Sequence, residues 1–335
     1  MIQSIFGLLL CALLAACTSA PPPVQSPTAA SSPTVAATTP GFTTSPAGSP
    51  TTSPEASASP SPSTSGGASA SPSQTALPSG LEAQLVTPGT LTTCVSIVGL
   101  PAAGLTEEGQ LDGYNVAFAT EIAARLGLDI VIQQPLFEDL MDQVTTNQCD
   151  VAISSLNITA ERSAQVSFVP YTRSTQPVVV TSGNPETIDS LERLCGLAVS
   201  AATGTTHVDL VEGLGDYTGQ GLSERCTAAG DEPIDLQTYQ TELEAVTALL
   251  EGDVVAYLGN PNFVFDFPEQ LQYAEASLPP ARQGMAVALD RPSVLEAVQT
   301  TLQSMIDDGV YRGILVQYLP NQASVDAVSI LEPEA

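Results

Sequence analysis

The sequence predicts an α/β protein of two lobes with a cleft between them. Three observations carry this. Apolar, strand-like runs alternate with amphipathic, helix-like runs, the pattern of a mostly parallel, doubly wound sheet. The alternation breaks and restarts near residue 177. About 255 residues follow a long low-complexity segment, too many for one small core and comfortable for two.

The first two segments are not folded ones. The chain opens on MIQSIFGLLLCALLAACTSA, an apolar run ending in small residues and a cysteine. This is the pattern of a secretory signal rather than a membrane span. Leu14-Ala15-Ala16-Cys17 resembles the bacterial lipobox, in which the cysteine is lipidated and becomes the mature N-terminus; otherwise Cys17 is an ordinary apolar signal residue. The usual basic n-region is missing from residues 1–6. Residues 1–17 are therefore expected to be a lipoprotein signal peptide. Residues 18–80 are nearly all Ser, Thr, Pro, Ala and Gly. They cannot bury enough apolar surface to offset their ordering entropy. A disordered tether is expected, with a coil-like span of roughly 45 Å and a limit of about 200 Å if polyproline-like.

The folded part begins with LTTCVSIV (91–98), a β-branched strand. YNVAFATEIAARLG follows as a helix with Val116, Ala119, Ile122, Ala123 and Leu126 on one stripe and Gly127 as its stop. LDIVIQQ is the next strand. FEDLMDQVTTNQ is a short helix with Phe137, Leu140, Met141 and Val144 on one side, and CDVAISSL an apolar strand suited to a sheet centre. In the second unit PVVVT and CGLAVSAA are strands, HVDLVEGL a helix, IDLQTY a strand, TELEAVTALLEG a helix and DVVAYLG a strand. RQGMAVAL then leads into PSVLEAVQTTLQSMIDDG, whose stripe is Leu295, Val298, Leu302, Met305 and Ile306. The final helices are expected to return to the first lobe. Ligands of open sheets bind beyond the carboxyl ends of the strands, which places the site between the lobes.

A net charge of −28, with no lysine and eight arginines, argues against nucleic acid and against an anionic membrane surface as partners, since both repel such a chain. Cys94, Cys149, Cys195 and Cys226 lie in the folded part. In an exported protein four cysteines suggest two disulfides, with three possible connectivities. No CxxC pair occurs and His207 is the only histidine, so neither a zinc site nor another metal or cofactor is expected.

Arg162 stands out in so acidic a chain. It follows the hydroxyl-rich run SSLNIT and lies three residues after Thr159, a good N-cap, so it belongs to the first turn of a helix at a strand's carboxyl end. A guanidinium there can pair bidentately with a carboxylate, which lysine cannot copy. The alternative is a solvated pair with Glu161 or another acid. In TGTTHVD, Thr206 with Asp209 fits a capping box, and free amides at a helix start can also bind an anion.

The segments GQLDGYNVAFATEIAARLGL, CDVAISSLNITAERSAQVSFVPY, LCGLAVSAATGTT and DDGVYRGILVQY resemble family 3 extracellular solute-binding proteins of amino-acid ABC transporters. The resemblance runs in order over nearly all of residues 88–320, and SSLNITAER is its most specific part. It implies the bilobal periplasmic-binding-protein fold (type 2), two doubly wound α/β lobes joined by a two-strand hinge. Lobe 1 would be 81–176 and 279–335, and lobe 2 would be 177–278. By the same resemblance Arg162 binds the ligand α-carboxylate, helped by Ser154, Ser155 and Asn157 and opposed by Thr205 and Thr206. His207 would be a pocket-rim or helix-surface residue. Phe137 matches an aromatic platform, unless it is a core residue of its own helix. The facing platform is absent, with Gly99-Leu100-Pro101-Ala102 in its place. Asn260 stands where many members have the aspartate that takes the ligand ammonium, and Glu138 and Asp139 are weak candidates to replace it. The cysteine pattern of exported members favours Cys94–Cys149 and Cys195–Cys226.

The function implied is a lipid-anchored, extracytoplasmic receptor at the cell membrane. It would be a monomer that binds a small carboxylate-bearing solute, most simply an amino acid, and delivers it to an ABC permease. A second possibility is a sensing module acting in trans on a membrane receptor. A third is a dehydratase of cyclic prearomatic acids on the same fold, against which stands the lack of any nucleophile signature or informative acid pair.

Overall fold

The computed structural model describes residues 78–319. The signal-like segment with Cys17, the low-complexity segment to residue 77 and residues 320–335 lie outside the described residues.

The chain enters through α1 (Leu81–Gln84), β1 (Thr90–Cys94) and a small hairpin of β2 (Gly104–Leu105) and β3 (Leu111–Asp112). There follow α2 (Tyr114–Leu126), β4 (Asp129–Gln133), α3 (Leu140–Thr145), β5 (Val151–Asn157) and α4 (Ala160–Ser163). In α2, Phe118, Ala119, Ile122, Ala123 and Leu126 are buried at helical spacing. Gly127 ends it in the left-handed region at φ 65°, its amide returning to the carbonyls of Ala123 and Ala124.

A long strand, β6 (Val166–Thr181), leads to β7 (Ala198–Ala202), α5 (Thr206–Glu212), α6 (Leu222–Ala229), β8 (Asp235–Tyr239) and α7 (Glu242–Glu251). Thr241 caps α7 reciprocally with Glu244: its hydroxyl accepts the Glu244 amide at 3.1 Å, and Glu244 Oε2 accepts the Thr241 amide at 3.0 Å. After β9 (Ala256–Leu258) and α8 (Phe263–Asp266) a second long strand, β10 (Leu271–Ala288), carries the chain back to α9 (Pro292–Asp307) and α10 (Val310–Tyr318). Pro292 opens α9 at its first position, where a missing N–H costs nothing.

Among the described residues the main sheet has eight strands in the order β4-β1-β5-β10-β6-β9-β7-β8. Pairing is parallel within β4-β1-β5 and within β9-β7-β8. It is antiparallel at β5-β10, β10-β6 and β6-β9. The sheet is thus two parallel trios joined by two long antiparallel strands, less uniformly parallel than the alternation of elements suggests. β6 extends far beyond PVVVT, and β10 far beyond RQGMAVAL. Residues 172–176, TRSTQ, are polar because this part of β6 runs along a cleft rather than through a core, so no apolar pattern betrays the strand. Pro279 and Pro280 fall where the β10-β6 register shifts between Leu278 and Ala281, a position that needs no ladder N–H.

The buried apolar clusters divide at these long strands. Two of them draw on residues 81–171 and 285–319, with Phe118, Ile153, Met285, Val298 and Met305 fully enclosed. The other two draw on 178–278, with Val180, Val199, Val211 and Leu258 fully enclosed. Helix α6 sends only Leu222 and Cys226 inward, too few positions for a helical period to show in the sequence. Cys94 is bonded to Cys149, with Cα atoms 5.8 Å apart, and Cys195 to Cys226, at 5.5 Å. Each bridge stays on one side of the long-strand pair.

Candidate functional site

Strands β5 and β7 point their carboxyl ends at one another across the long-strand pair. The loops beyond them enclose about 570 Å³ of empty space, including the open mouth. Phe137, Ser154, Ser155, Asn157 and Arg162 line one wall, and Thr205, Thr206, His207, Glu242 and Asn260 the other. Ser174, Gln176 and Gln283 of the two long strands face the same space. All eight of the residues singled out from the sequence as ligand contacts therefore border one cleft.

Arg162 is held from two sides. Its backbone amide donates to Thr159 Oγ1 at 3.1 Å, which fixes the start of α4. Nη1 donates to the Asn157 carbonyl at 3.0 Å, and Nη2 reaches the opposite wall to donate to the Gly204 carbonyl at 2.8 Å. The guanidinium lies 5.9 Å from the centre of the Phe137 ring. Among the described residues no carboxylate lies within ion-pair distance of it, Glu161 included. Burial outweighs the acids Asp209, Glu161 and Asp216 and draws its pKa down from the ordinary value, yet a guanidinium remains charged. Five N–H donors less two in use leave three for a solute.

The serine turn is set by aromatic hydroxyls. Ser155 has φ 53°, the left-handed region that a side chain normally avoids, and its amide donates to the Tyr171 hydroxyl at 2.9 Å. Tyr171 in turn donates to Asn115 Oδ1 at 2.5 Å, and Ser155 Oγ meets the Tyr114 hydroxyl at 2.9 Å. Ser154 is buried and its Oγ accepts the Ser96 amide at 2.9 Å, so it braces β5 against β1 as well as facing the cleft.

Asn157 Nδ2 donates to Thr206 Oγ1 across the cleft at 2.7 Å. Thr205, not Thr206, is the N-cap of α5, and the expected capping box of Thr206 with Asp209 does not form. The chain turns one residue earlier, so that the Asp209 amide points to the Thr205 carbonyl and the Thr205 hydroxyl donates back to Ala202. The Thr206 side chain is thereby released into the cleft.

Asn260 borders the cleft, but its amide is engaged within the protein. Nδ2 donates to the Val98 carbonyl at 2.8 Å, and Oδ1 accepts the backbone and side-chain N–H groups of Asn262 at 3.1 and 2.8 Å. Glu138 and Asp139 are exposed and absent from the cleft wall, because they begin a helical turn whose inward positions go to Phe137 and Leu140.

Two cleft groups have a burial that the sequence does not reveal. Glu242 is a buried acid, its carboxyl pushed up to about 8 by burial against one weak amide bond. As the first residue of a capped helix it reads like a solvated first-turn acid, and no local signal marks it otherwise. His207, expected at the pocket rim or on the helix surface, turns both ring nitrogens inward without a hydrogen-bond partner among the described residues. Burial, reinforced by the Arg162 charge, holds its pKa down to about 4, so the ring is neutral at pH 7.

The sequence profile of the bacterial extracellular solute-binding proteins, family 3, matches residues 92–321. The L-cystine-binding protein TcyJ of Escherichia coli (strain K12) is 22% identical over 240 residues, 70% of this chain and 84% of that protein. Among solved structures, an ancestral arginine-binding protein bound to arginine matches with a TM-score of 0.60 at 26% identity, over 69% of this chain and 98% of that one. A shorter stretch of 102 residues, 30% of this chain, is 28% identical to the cyclohexadienyl dehydratase of Pseudomonas aeruginosa and covers 38% of that enzyme.

Proposed function

Because the chain belongs to the bacterial extracellular solute-binding proteins of family 3, we propose that its cleft holds a small carboxylate-bearing solute, most simply an amino acid, for delivery to an ABC permease. Arg162 carries this reading. Its guanidinium is positioned by the carbonyls of Asn157 and Gly204, has no acid paired with it among the described residues, and keeps three donors for a carboxylate. Phe137 would pack against the solute's apolar part, and Thr206 would face its carboxylate from the other wall, with Thr205 limited to its backbone because its hydroxyl donates to the Ala202 carbonyl.

The lobes would be 81–176 with 279–335, and 177–278, which is supported by the division of the apolar clusters at the long strands. Bonds such as Asn157–Thr206 exist only when the walls are together, so a solute touching both walls would select the closed state. Lipidation at Cys17 would hold the protein at the membrane on its extracytoplasmic side, with residues 18–80 as the tether and the chain acting as a monomer.

A thermal-shift screen of the full chain against amino acids and their deaminated analogues tests the reading. A solute at about 1,000 times its dissociation constant adds roughly 4 kcal/mol of stability, an easily read shift. Silence from every carboxylate would overturn the assignment of Arg162. Turnover of prephenate or arogenate would instead place the protein with the dehydratases.

A further inference from the structure

Glu242 sits where a structural acid has little reason to be. Its side chain is only 6% exposed, yet it borders the cleft. Oε2 accepts the Tyr257 hydroxyl and, more weakly, the Asn260 amide at 3.4 Å. Oε1 receives no donor from the described residues. Gly259 makes this placement possible, since a Cβ there would collide with both Glu242 Oε2 and the Tyr257 hydroxyl.

No internal cation neutralises this acid. The chain has no lysine, and among the described residues no arginine or histidine lies within ion-pair distance of Glu242. Arg162 lines the same cleft and is equally unpaired. The cleft therefore presents one free guanidinium and one free carboxyl, a charge pattern complementary to a solute that carries both an anion and a cation. Asn260 cannot supply the negative charge, because it is a neutral amide and its polar atoms are already bonded within the protein.

On the reading that the cleft takes a carboxylate-bearing solute, we infer that Glu242 receives a cationic group of that same solute, an ammonium or a guanidinium. Selectivity against plain carboxylates then comes from Glu242 rather than from Asn260. Binding is also coupled to a proton. Burial keeps the carboxyl near 8 in the empty cleft, and an incoming cation ionises it, so a proton leaves as the solute enters. Affinity for the cationic solute rises as pH rises toward 8 and levels off above it. Of the other groups near this carboxyl, the Tyr257 phenol shares Oε2 and Glu244 on the same helix is occupied with Thr241. Arg162, His207 and Tyr114 face the same space. His207 titrates at about 4 and Tyr114 is raised above an ordinary tyrosine, so neither accounts for a transition near 8.

The test is a thermal-shift screen of the full chain, wild type and Glu242→Gln, with three sets of probes. These are the twenty amino acids with cystine, their deaminated carboxylates, and the amines agmatine and putrescine. Hits are followed by titration calorimetry in buffers of different ionisation enthalpy. Glu242→Gln is expected to weaken the best amino acid about 10- to 100-fold while leaving a deaminated analogue unchanged. Wild type should release close to one proton per bound amino acid at pH 7, a readout that needs no variant to fold. Equal amino-acid affinity in Glu242→Gln overturns the role of Glu242, and binding without proton release overturns its coupling to a proton. Deaminated carboxylates binding as well as amino acids overturns it too, while the carboxylate reading survives. Amines binding wild type but not Glu242→Gln, with every carboxylate silent, keeps Glu242 and overturns the carboxylate reading. Silence from all three sets overturns both.

Discussion

Asp216 reaches across the cleft and its Oδ2 accepts the backbone amide of Ala160 at 2.7 Å. Its other oxygen accepts the next amide, Glu161, at 3.1 Å, so a carboxylate from one wall caps the helix that carries Arg162 on the other. Gly215 lies so close to the Glu161 carboxylate that a Cβ there would collide with it. This contact, with Arg162–Gly204, Asn157–Thr206 and Asn260–Val98, exists only when the two walls are together.

Asp216→Ala should therefore favour the open form. The bonds lie at an exposed rim and the net loss is about 1 kcal/mol, or roughly fivefold in the closed-to-open ratio. Solute affinity should fall by about the same factor, and small-angle scattering of the empty protein should show a larger radius of gyration. An unchanged radius and affinity would mean that the cap plays no part in closure.

Arg162→Ala should cost roughly 2–4 kcal/mol of solute binding, about 30- to 1000-fold. Arg162→Lys should recover little of it, because an ammonium cannot hold two carbonyls in a fork and still offer a planar pair of donors. Titration calorimetry with the best ligand of the screen measures both. Loss confined to Arg162→Ala would show that charge alone suffices.

The stability of the empty protein should vary with pH on two limbs. Glu242 titrates at about 8 when folded and near 4.3, the ordinary carboxyl value, when unfolded. Between these values the folded state holds the extra proton, so stability falls as pH rises, by an amount on the order of 5 kcal/mol by pH 8. Glu242→Gln should flatten that limb. His207 has the opposite sign: its pKa is depressed to about 4, so the unfolded state takes up the proton first and stability falls as pH drops from about 6.5 to 4. His207→Gln should flatten the acid limb and leave the alkaline one. Urea unfolding between pH 4 and 9 separates them.

Asp150→Ala should destabilise the protein by about 3–5 kcal/mol. Asp150 is fully buried and its two oxygens accept the amides of Val86 at 2.6 Å and Thr92 at 2.7 Å, with Arg291 Nη1 at 2.9 Å. Removing the carboxylate strands one guanidinium and two amides together. Denaturant midpoints read the loss, and a loss below about 1 kcal/mol would show that water replaces the carboxylate.

Local chemistry made much of the protein legible from its order of residues. The stripe of α2, the stop at Gly127, the cap at Thr159 that starts the turn of Arg162, and the apolar run of β5 all depend on neighbours within one or two turns of the chain. Such short-range preferences survive into the fold because nothing in the tertiary packing opposes them. The eight expected contacts came from the resemblance to the family rather than from local chemistry, and they border one cleft because the loops that carry most of them follow strand ends.

Only the tertiary structure decided what those residues meet. Thr205 displaced Thr206 as the cap because the chain turns one residue earlier to leave β7. The polar stretch 172–176 became the middle of a 16-residue strand because β10 pairs with it from a hundred residues away. Glu242 changed from a helix-start acid to a buried, unpaired carboxyl because Gly259 and Tyr257, on the far side of α7, leave it a place. Burial and pairing are set by groups distant along the chain, and an ionisable side chain takes its chemistry from them rather than from its neighbours in sequence.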